Sequence, residues 1–339
     1  MDLIVLQNIW FFLVGILFVG YSLLDGFDLG IGMLFKFIAK RDAEKRVLFN
    51  AIGPFWDGNE VWLITGGGAL FAAFPHAYAT VFSGFYLALF LVLFGLIFRA
   101  VSLEFWVHDF ARRRLWEWAF VLGSLIPSLL FGVALGNVIQ GVPLNANMDY
   151  QGDFFLLLRP FPLSMGILGL VGFMLHGSTY VSWRTTGLLK ERAERWAKFL
   201  WYAFGIMVLV TFLAAFIYIP DFTSMGTGNV VTWLATLVLV AAFVILRKVM
   251  GMKKEFLSFV MTAALFIALW GIVGAMHYPN LVRASNDSNL SITLMNGSSQ
   301  VNTLTVMLIV TLIFFPVVLI YKFFVYRIFK GKVQLPEES

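Results

Sequence analysis

Gly53-Pro54-Phe55-Trp56-Asp57-Gly58-Asn59-Glu60-Val61-Trp62-Leu63-Ile64-Thr65, running on through Gly66-Gly67-Gly68 to Phe74-Pro75, reads as an apolar helix of spanning length that carries two carboxylates one turn apart. An acidic side chain near the centre of a bilayer helix costs roughly 2.5–3.5 kcal/mol on insertion scales, so Asp57 and Glu60 demand compensation. The same demand arises just upstream, where Asp25 and Asp28 sit inside the apolar run that begins at Gln7.

The rest of the chain sets these residues in a membrane. Apolar residues make up 60% of the 339 positions and charged residues only 13%, with a mean hydropathy of +0.87. A soluble domain is nearer 45–50% apolar and about 25% charged. The apolar runs are long and continuous, not alternating, which argues for an all-α polytopic protein against a β-barrel. With no cysteine, disulfides, thiolate metal sites, iron–sulfur clusters and covalently attached haem are excluded. Met1-Asp2 offers no basic n-region, so the first run is expected to stay as a span.

Nine spans are drawn, at roughly 7–35, 50–74, 76–99, 116–139, 161–183, 198–219, 230–247, 256–278 and 303–326. Alternate loops then hold 22 of the 24 basic residues, Lys36 to Arg46 in the first and Lys322 to Lys332 in the last, and the other side keeps only Arg159 and Arg283. By the positive-inside rule the N-terminus lies outside and the C-terminus inside. The net charge of +5 is thus a topology signal and not a nucleic-acid surface. Residues 1–339 read as one integral membrane domain, with no repeat of fixed period.

On a helix, residues three apart share a face, which pairs Asp25 with Asp28 and Asp57 with Glu60. At about 1.5 Å per residue, Asp28 and Asp25 lie roughly 12 and 17 Å from the inner boundary, and Asp57 and Glu60 roughly 10 and 15 Å. Four carboxylates on two antiparallel helices are therefore expected to converge, and in low dielectric they cannot all be ionised. Arg99, at the inner end of the third segment, is the candidate counter-charge, with Glu104 just beyond it. Such a cluster suits a proton route. It also suits a purely structural role, with the acids bonded to Asn59, Trp62, Thr65 and Arg99. Of the histidines only His176 lies deep in a segment, and a lone histidine there reads as a packing or hydrogen-bonding residue; no pair has metal-ligand spacing. No metal site and no catalytic residue is assigned, and the many Trp and Phe residues read as core, lipid-facing and interfacial.

Gly20-Tyr21-Ser22-Leu23-Leu24-Asp25-Gly26-Phe27-Asp28-Leu29-Gly30-Ile31-Gly32 together with Gly53 to Trp62 resembles subunit II of the cytochrome bd-type quinol oxidases. The resemblance continues through Gly67 to Pro75, Phe82 to Tyr86, Gly132 to Asn137, Gln140 to Pro143, Gly177 to Tyr180 and Asn302 to Thr305. It implies two four-helix bundles plus one peripheral helix, in a respiratory complex of the prokaryotic cytoplasmic (inner) membrane that oxidises quinol and reduces O2 to water with cytoplasmic protons. It further implies that haems b558, b595 and d belong to a larger partner, subunit I, that this chain can hold a structural quinone, and that small accessory subunits can join. The motif match puts Asp28 and Asp57 on a proton-uptake route, with Arg99 beside them; Asp25, Glu60 and Glu104 are added from depth and spacing. The chain is shorter than many relatives in its outer loops, and whether the partner holds haem d or the cyanide-insensitive type stays open. The alternative is a proton-coupled secondary transporter, which intramembrane acids and glycine-interrupted helices also suit, although no inverted repeat is visible.

Overall fold

The computed structural model describes residues 2–333, nearly all of them helical. In chain order the helices are α1 (Leu3–Ile38), α2 (Asp42–Ile52), α3 (Trp56–Ala73), α4 (Pro75–Gly84), α5 (Tyr86–His108), α6 (Arg113–Gln140) and α7 (Pro160–Arg184). They continue with α8 (Gly187–Tyr218), α9 (Phe222–Thr227), α10 (Val230–Gly251), α11 (Glu255–His277), α12 (Leu294–Gly297) and α13 (Val301–Ile328). A short antiparallel ribbon of β1 (Asn280–Val282) and β2 (Ile292–Thr293) folds the loop between α11 and α12.

Among the described residues eight helices are long and apolar enough to cross a membrane: α1, α5, α6, α7, α8, α10, α11 and α13. The stretch read as a span over 50–74 is not among them. It begins inside α2, breaks at Gly53-Pro54, and resumes as the 18-residue α3, whose apolar content is diluted by Asp57, Asn59, Glu60 and four glycines. The third segment also differs from its reading as 76–99. Gly84 and Phe85 separate the short α4 from α5, and α5 runs on to His108. Arg99 therefore lies inside a span and not at its inner end.

Helix α1 is the axis of the molecule. Its 36 residues extend about 54 Å, more than the ~30 Å hydrocarbon core. In its first half only one stripe is buried (Leu6, Trp10, Val14, Leu17, Tyr21), the spacing of a helix with one packed face. From Asp25 to Phe35 every residue is buried, because α3, α6, α7 and α11 surround it. Close approach is made possible by glycine. A Cβ on Gly30 would stand 1.9 Å from the Phe173 carbonyl oxygen of α7, and one on Gly177 2.7 Å from the Gly30 carbonyl carbon. The two backbones touch there, as small residues permit in membrane helices.

Helix α3 runs antiparallel along α1. Asn59 reaches Leu24, Trp62 packs over Gly20 and Gly66 over Phe18, and Ala73 joins the core around Trp10 and Val14. Helix α13 is by contrast the most exposed span, and Leu304 and Leu308 are its buried residues.

The basic-rich ends are tied together by ion pairs. Glu44 of α2 accepts from the Lys40 and Arg41 backbone N–H groups at 2.7 and 3.1 Å, and takes a two-pronged contact from Arg192 of α8 at 3.0 and 2.6 Å. Glu117 of α6 accepts from Lys45 at 2.5 Å and from Lys36 at 3.1 Å. The Arg192 hydrogen bonds, above all, hold the Glu44 carboxyl down to about 2. A depressed carboxyl contributes stability that is full above its unfolded value near 4.3 and is lost as pH falls through the folded one. Protease access to residues 39–55 in membrane vesicles should therefore rise as pH drops from about 5 toward 2. In Glu44→Gln it should be higher at neutral pH and change less on acidification; parallel curves would show that Glu44 does not hold this corner.

Candidate functional site

Helix α1 supplies Asp25 and Asp28, α3 supplies Asn59 and Glu60, α5 supplies Arg99 and α13 supplies Lys322. They form one buried polar cluster with two halves. In the first, Arg99 Nη1 donates to Asp25 Oδ2 at 2.9 Å and Nη2 to Asp25 Oδ1 at 2.8 Å. Nη2 also donates to Glu60 Oε1 at 2.5 Å. The Arg99 and Asp25 side chains are 1% and 0% exposed, and that of Glu60 is 22% exposed. A two-pronged guanidinium–carboxylate contact is among the stronger charge-assisted arrangements.

In the second half, Asn59 Nδ2 donates to Asp28 Oδ2 at 2.8 Å and to the Leu24 carbonyl at 3.0 Å. Lys322 Nζ donates to Asn59 Oδ1 at 2.9 Å. Asn59 is fully buried and so transmits the lysine to the carboxylate without letting them touch. Gly58 makes room for this, since a Cβ there would stand 2.9 Å from Lys322 Nζ. Asp28 Oδ1 is buried without a hydrogen-bond partner, a state that ordinarily costs about 1–3 kcal/mol or more. Fully ionised, Asp25, Asp28 and Glu60 outnumber Arg99 and Lys322 by one charge. The cluster has room for one more positive charge, and Asp28 Oδ1 is the free acceptor.

Two predicted members stand apart. Asp57 is exposed one turn from Glu60, with Oδ1 accepting from the adjacent Gly58 N–H at 2.5 Å. Three carboxylates converge, not four, because Glu60 turns toward Arg99 while Asp57 faces outward. Glu104 is exposed on α5 and makes no ion pair among the described residues. The sequence reading counted Lys322 as a loop charge. Its signal was its place inside the apolar segment 303–326, where a lysine also needs a partner. Asn59, named only as a hydrogen-bond partner, proves to be the connecting residue.

The histidine that lies deepest in a span is engaged by its own neighbours. His176 is fully buried, with Nε2 3.0 Å from the Leu23 carbonyl and Nδ1 2.6 Å from Thr262 Oγ1. A carbonyl can only accept, so Nε2 carries a hydrogen; the Thr262 hydroxyl that meets Nδ1 is itself 2.7 Å from the Phe259 carbonyl. Both nitrogens are taken, and the ring stacks on Phe259 with centroids 4.5 Å apart. His277 ends α11 with Nε2 against the Leu281 carbonyl at 3.2 Å, and His76 and His108 are exposed. Among the described residues no three His, Asp or Glu side chains gather as a metal site.

Comparison with known proteins agrees with this architecture. A family profile described as cytochrome bd terminal oxidase subunit II matches residues 6–329. The chain is 33% identical over 368 positions to cytochrome bd-I ubiquinol oxidase subunit 2 of Escherichia coli (strain K12), covering 98% of this chain and 96% of that one. It is 35% identical over 337 positions to cytochrome bd ubiquinol oxidase subunit 2 of Bacillus subtilis (strain 168), covering 98% of each. Its fold matches a chain in the structure of bd oxidase from Geobacillus thermodenitrificans with a TM-score of 0.78 at 17% identity, over 96% of this chain and 98% of that one. The chain belongs to the cytochrome bd terminal oxidase subunit II family and is a subunit of an oxidoreductase complex.

Proposed function

We propose that this chain is the subunit of a quinol:O2 oxidoreductase that ligates no haem, supports assembly of the complex, and admits cytoplasmic protons toward a haem site in a larger subunit I. When bound in that partner, the haems supply the electron transfer and oxygen chemistry. What this chain contributes is a charge-balanced path at membrane depth. The observation that carries the reading is the buried cluster in which Asp28 Oδ1 is enclosed without a hydrogen-bond partner among the described residues. In this reading Asp57, exposed on α3, receives a proton on the inner side. Half-buried Glu60 and buried Asp28 lie deeper along the same pair of helices, and the Asp25–Arg99 pair fixes the geometry around them. Glu104 is an outer member at the same mouth.

The topology that goes with this has α3 as the ninth span, with the N-terminus outside and the C-terminus inside the prokaryotic cytoplasmic membrane. The antiparallel run of α3 along α1 supports it. So does the parity of the chain, since nine crossings keep the basic ends of α5, α7, α10 and α13 on one side. Helices α1, α3, α5 and α6 would form one four-helix group, α7, α8, α10 and α11 the other, with α13 outside both. Small accessory subunits and a structural quinone belong to the same proposal.

Two experiments test this. A tagged pull-down in mild detergent, followed by a reduced-minus-oxidised visible spectrum, should yield a larger subunit carrying b-type bands; a colourless chain purified alone would contradict the assembly. In haem-matched complexes, Asp28→Asn should lower O2 consumption by about tenfold or more, with a smaller loss in Asp57→Asn. Arg99→Ala strands the buried Asp25 charge at a cost of about 3–5 kcal/mol and should reduce the yield of complex. Unchanged oxygen consumption in Asp28→Asn would overturn the proton route.

A further inference from the structure

The most exposed span of the chain is linked through Asn59 to the buried carboxylate of Asp28. Along its inner half α13 is held by Lys322 on Asn59, by Tyr326 stacked on Phe55 with centroids 4.5 Å apart, and by Arg184 Nη2 donating to the Phe329 carbonyl at 2.6 Å. Of these Lys322 brings a charge into the acidic cluster, and Tyr326 faces it. The Lys322 ammonium is half-buried and, among the described residues, has no carboxylate within salt-bridge distance; Asn59 stands between it and Asp28. A lysine in a lipid-exposed helix would ordinarily extend to the interface. Here it is turned inward over a glycine, and that placement needs a purpose.

We propose that Lys322 is a positioning residue for proton uptake: acting through Asn59, it sets the proton occupancy of Asp28 and ties the seating of α13 to it. The inference rests on the proton-entry reading above. When Asp28 is ionised, the Asn59 amide is polarised from both ends, donating to a carboxylate and accepting from an ammonium, and α13 is drawn against α3. When Oδ1 takes a proton, the carboxylate charge that Lys322 answers is gone, and the hold on α13 weakens. The other groups that face Asp28 are Asp25 on its own helix, Arg99 on α5, Tyr180 on α7 and Tyr326 on α13. Arg99 is already committed to Asp25 and Glu60, so Lys322 is the cation whose charge is left for Asp28. Asp57 on α3 also acts on Lys322 through its charge.

The test compares turnover against pH in haem-matched complexes. Removing a cation this close lets Asp28 keep its proton to higher pH by about 1–2 units. Lys322→Met should therefore move the basic limb of the kcat profile upward by that amount, lower kcat severalfold, and leave KM for quinol unchanged. Lys322→Gln can still donate to Asn59 but carries no charge, and should behave like Lys322→Met; Lys322→Arg should restore the wild-type profile. In an Asp28→Asn background, Lys322→Gln should have no further effect on the profile. A wild-type profile in Lys322→Gln overturns the role of Lys322. Wild-type turnover in Asp28→Asn instead overturns the proton-entry reading, so the two failures are distinct.

Discussion

Arg99 is a permanent cation inside a membrane span. A guanidinium does not give up its proton in a protein, and at 1% exposure this one has no water to share its charge. Everything near it has to answer. Helix α1 must present Asp25 at the depth of Arg99, α3 must bring Glu60 from the other side, and both carboxylates must be held within hydrogen-bond reach. Three helices are thereby placed in register by one side chain. Buried ion pairs contribute little net stability against an apolar replacement, but breaking one is severe, so their strongest effect is on which arrangements are allowed.

Once Asp25 is consumed by Arg99, Asp28 has to find compensation elsewhere. It receives an amide, Asn59, and beyond it an ammonium, Lys322. That substitution of a dipole for a direct ion pair leaves one oxygen of Asp28 unmatched and the cluster one charge short. The two halves thus differ in kind. In the Arg99 half both oxygens of Asp25 are paired with the guanidinium, which suits a structural role; in the Asp28 half a buried carboxylate oxygen is left over, which suits binding a proton. Packing enforces the difference, because α1 and α7 meet backbone to backbone at Gly30 and Gly177 and leave no freedom for α1 to rotate Asp28 toward Arg99.

Much of this was legible from residues. The apolar runs and the one-sided basic loops located the helices, and acids at i and i+3 marked α1 and α3 as the helices that meet. What could not be read was rotation. Period and depth cannot say that α3 turns Glu60 inward and Asp57 outward, since that depends on Arg99 lying inside α5 and not at its end. The break at Phe85, which shifts α5 by about two and a half turns, is a local choice between one long helix and two. Lys322 was hidden by a sound rule misapplied: a basic residue near the end of an apolar run usually faces the headgroups, and only the missing side chain at Gly58 allows it inward. The resemblance to the oxidase subunit family reached the assignment through motif residues that composition alone would have left as an acidic membrane protein.

The central claim is that Asp28 binds and releases a proton while the complex reduces oxygen. Time-resolved infrared difference spectroscopy on the fully reduced complex reacting with O2 reads this directly, because a protonated carboxyl group has a C=O stretch distinct from that of a carboxylate. The account predicts a carboxyl band that changes during the reaction, shifts in heavy water, and disappears in Asp28→Asn while the bands of the haem-bearing partner persist. A difference spectrum identical in wild type and Asp28→Asn would contradict it, and would leave the cluster as a helix clamp built around Arg99.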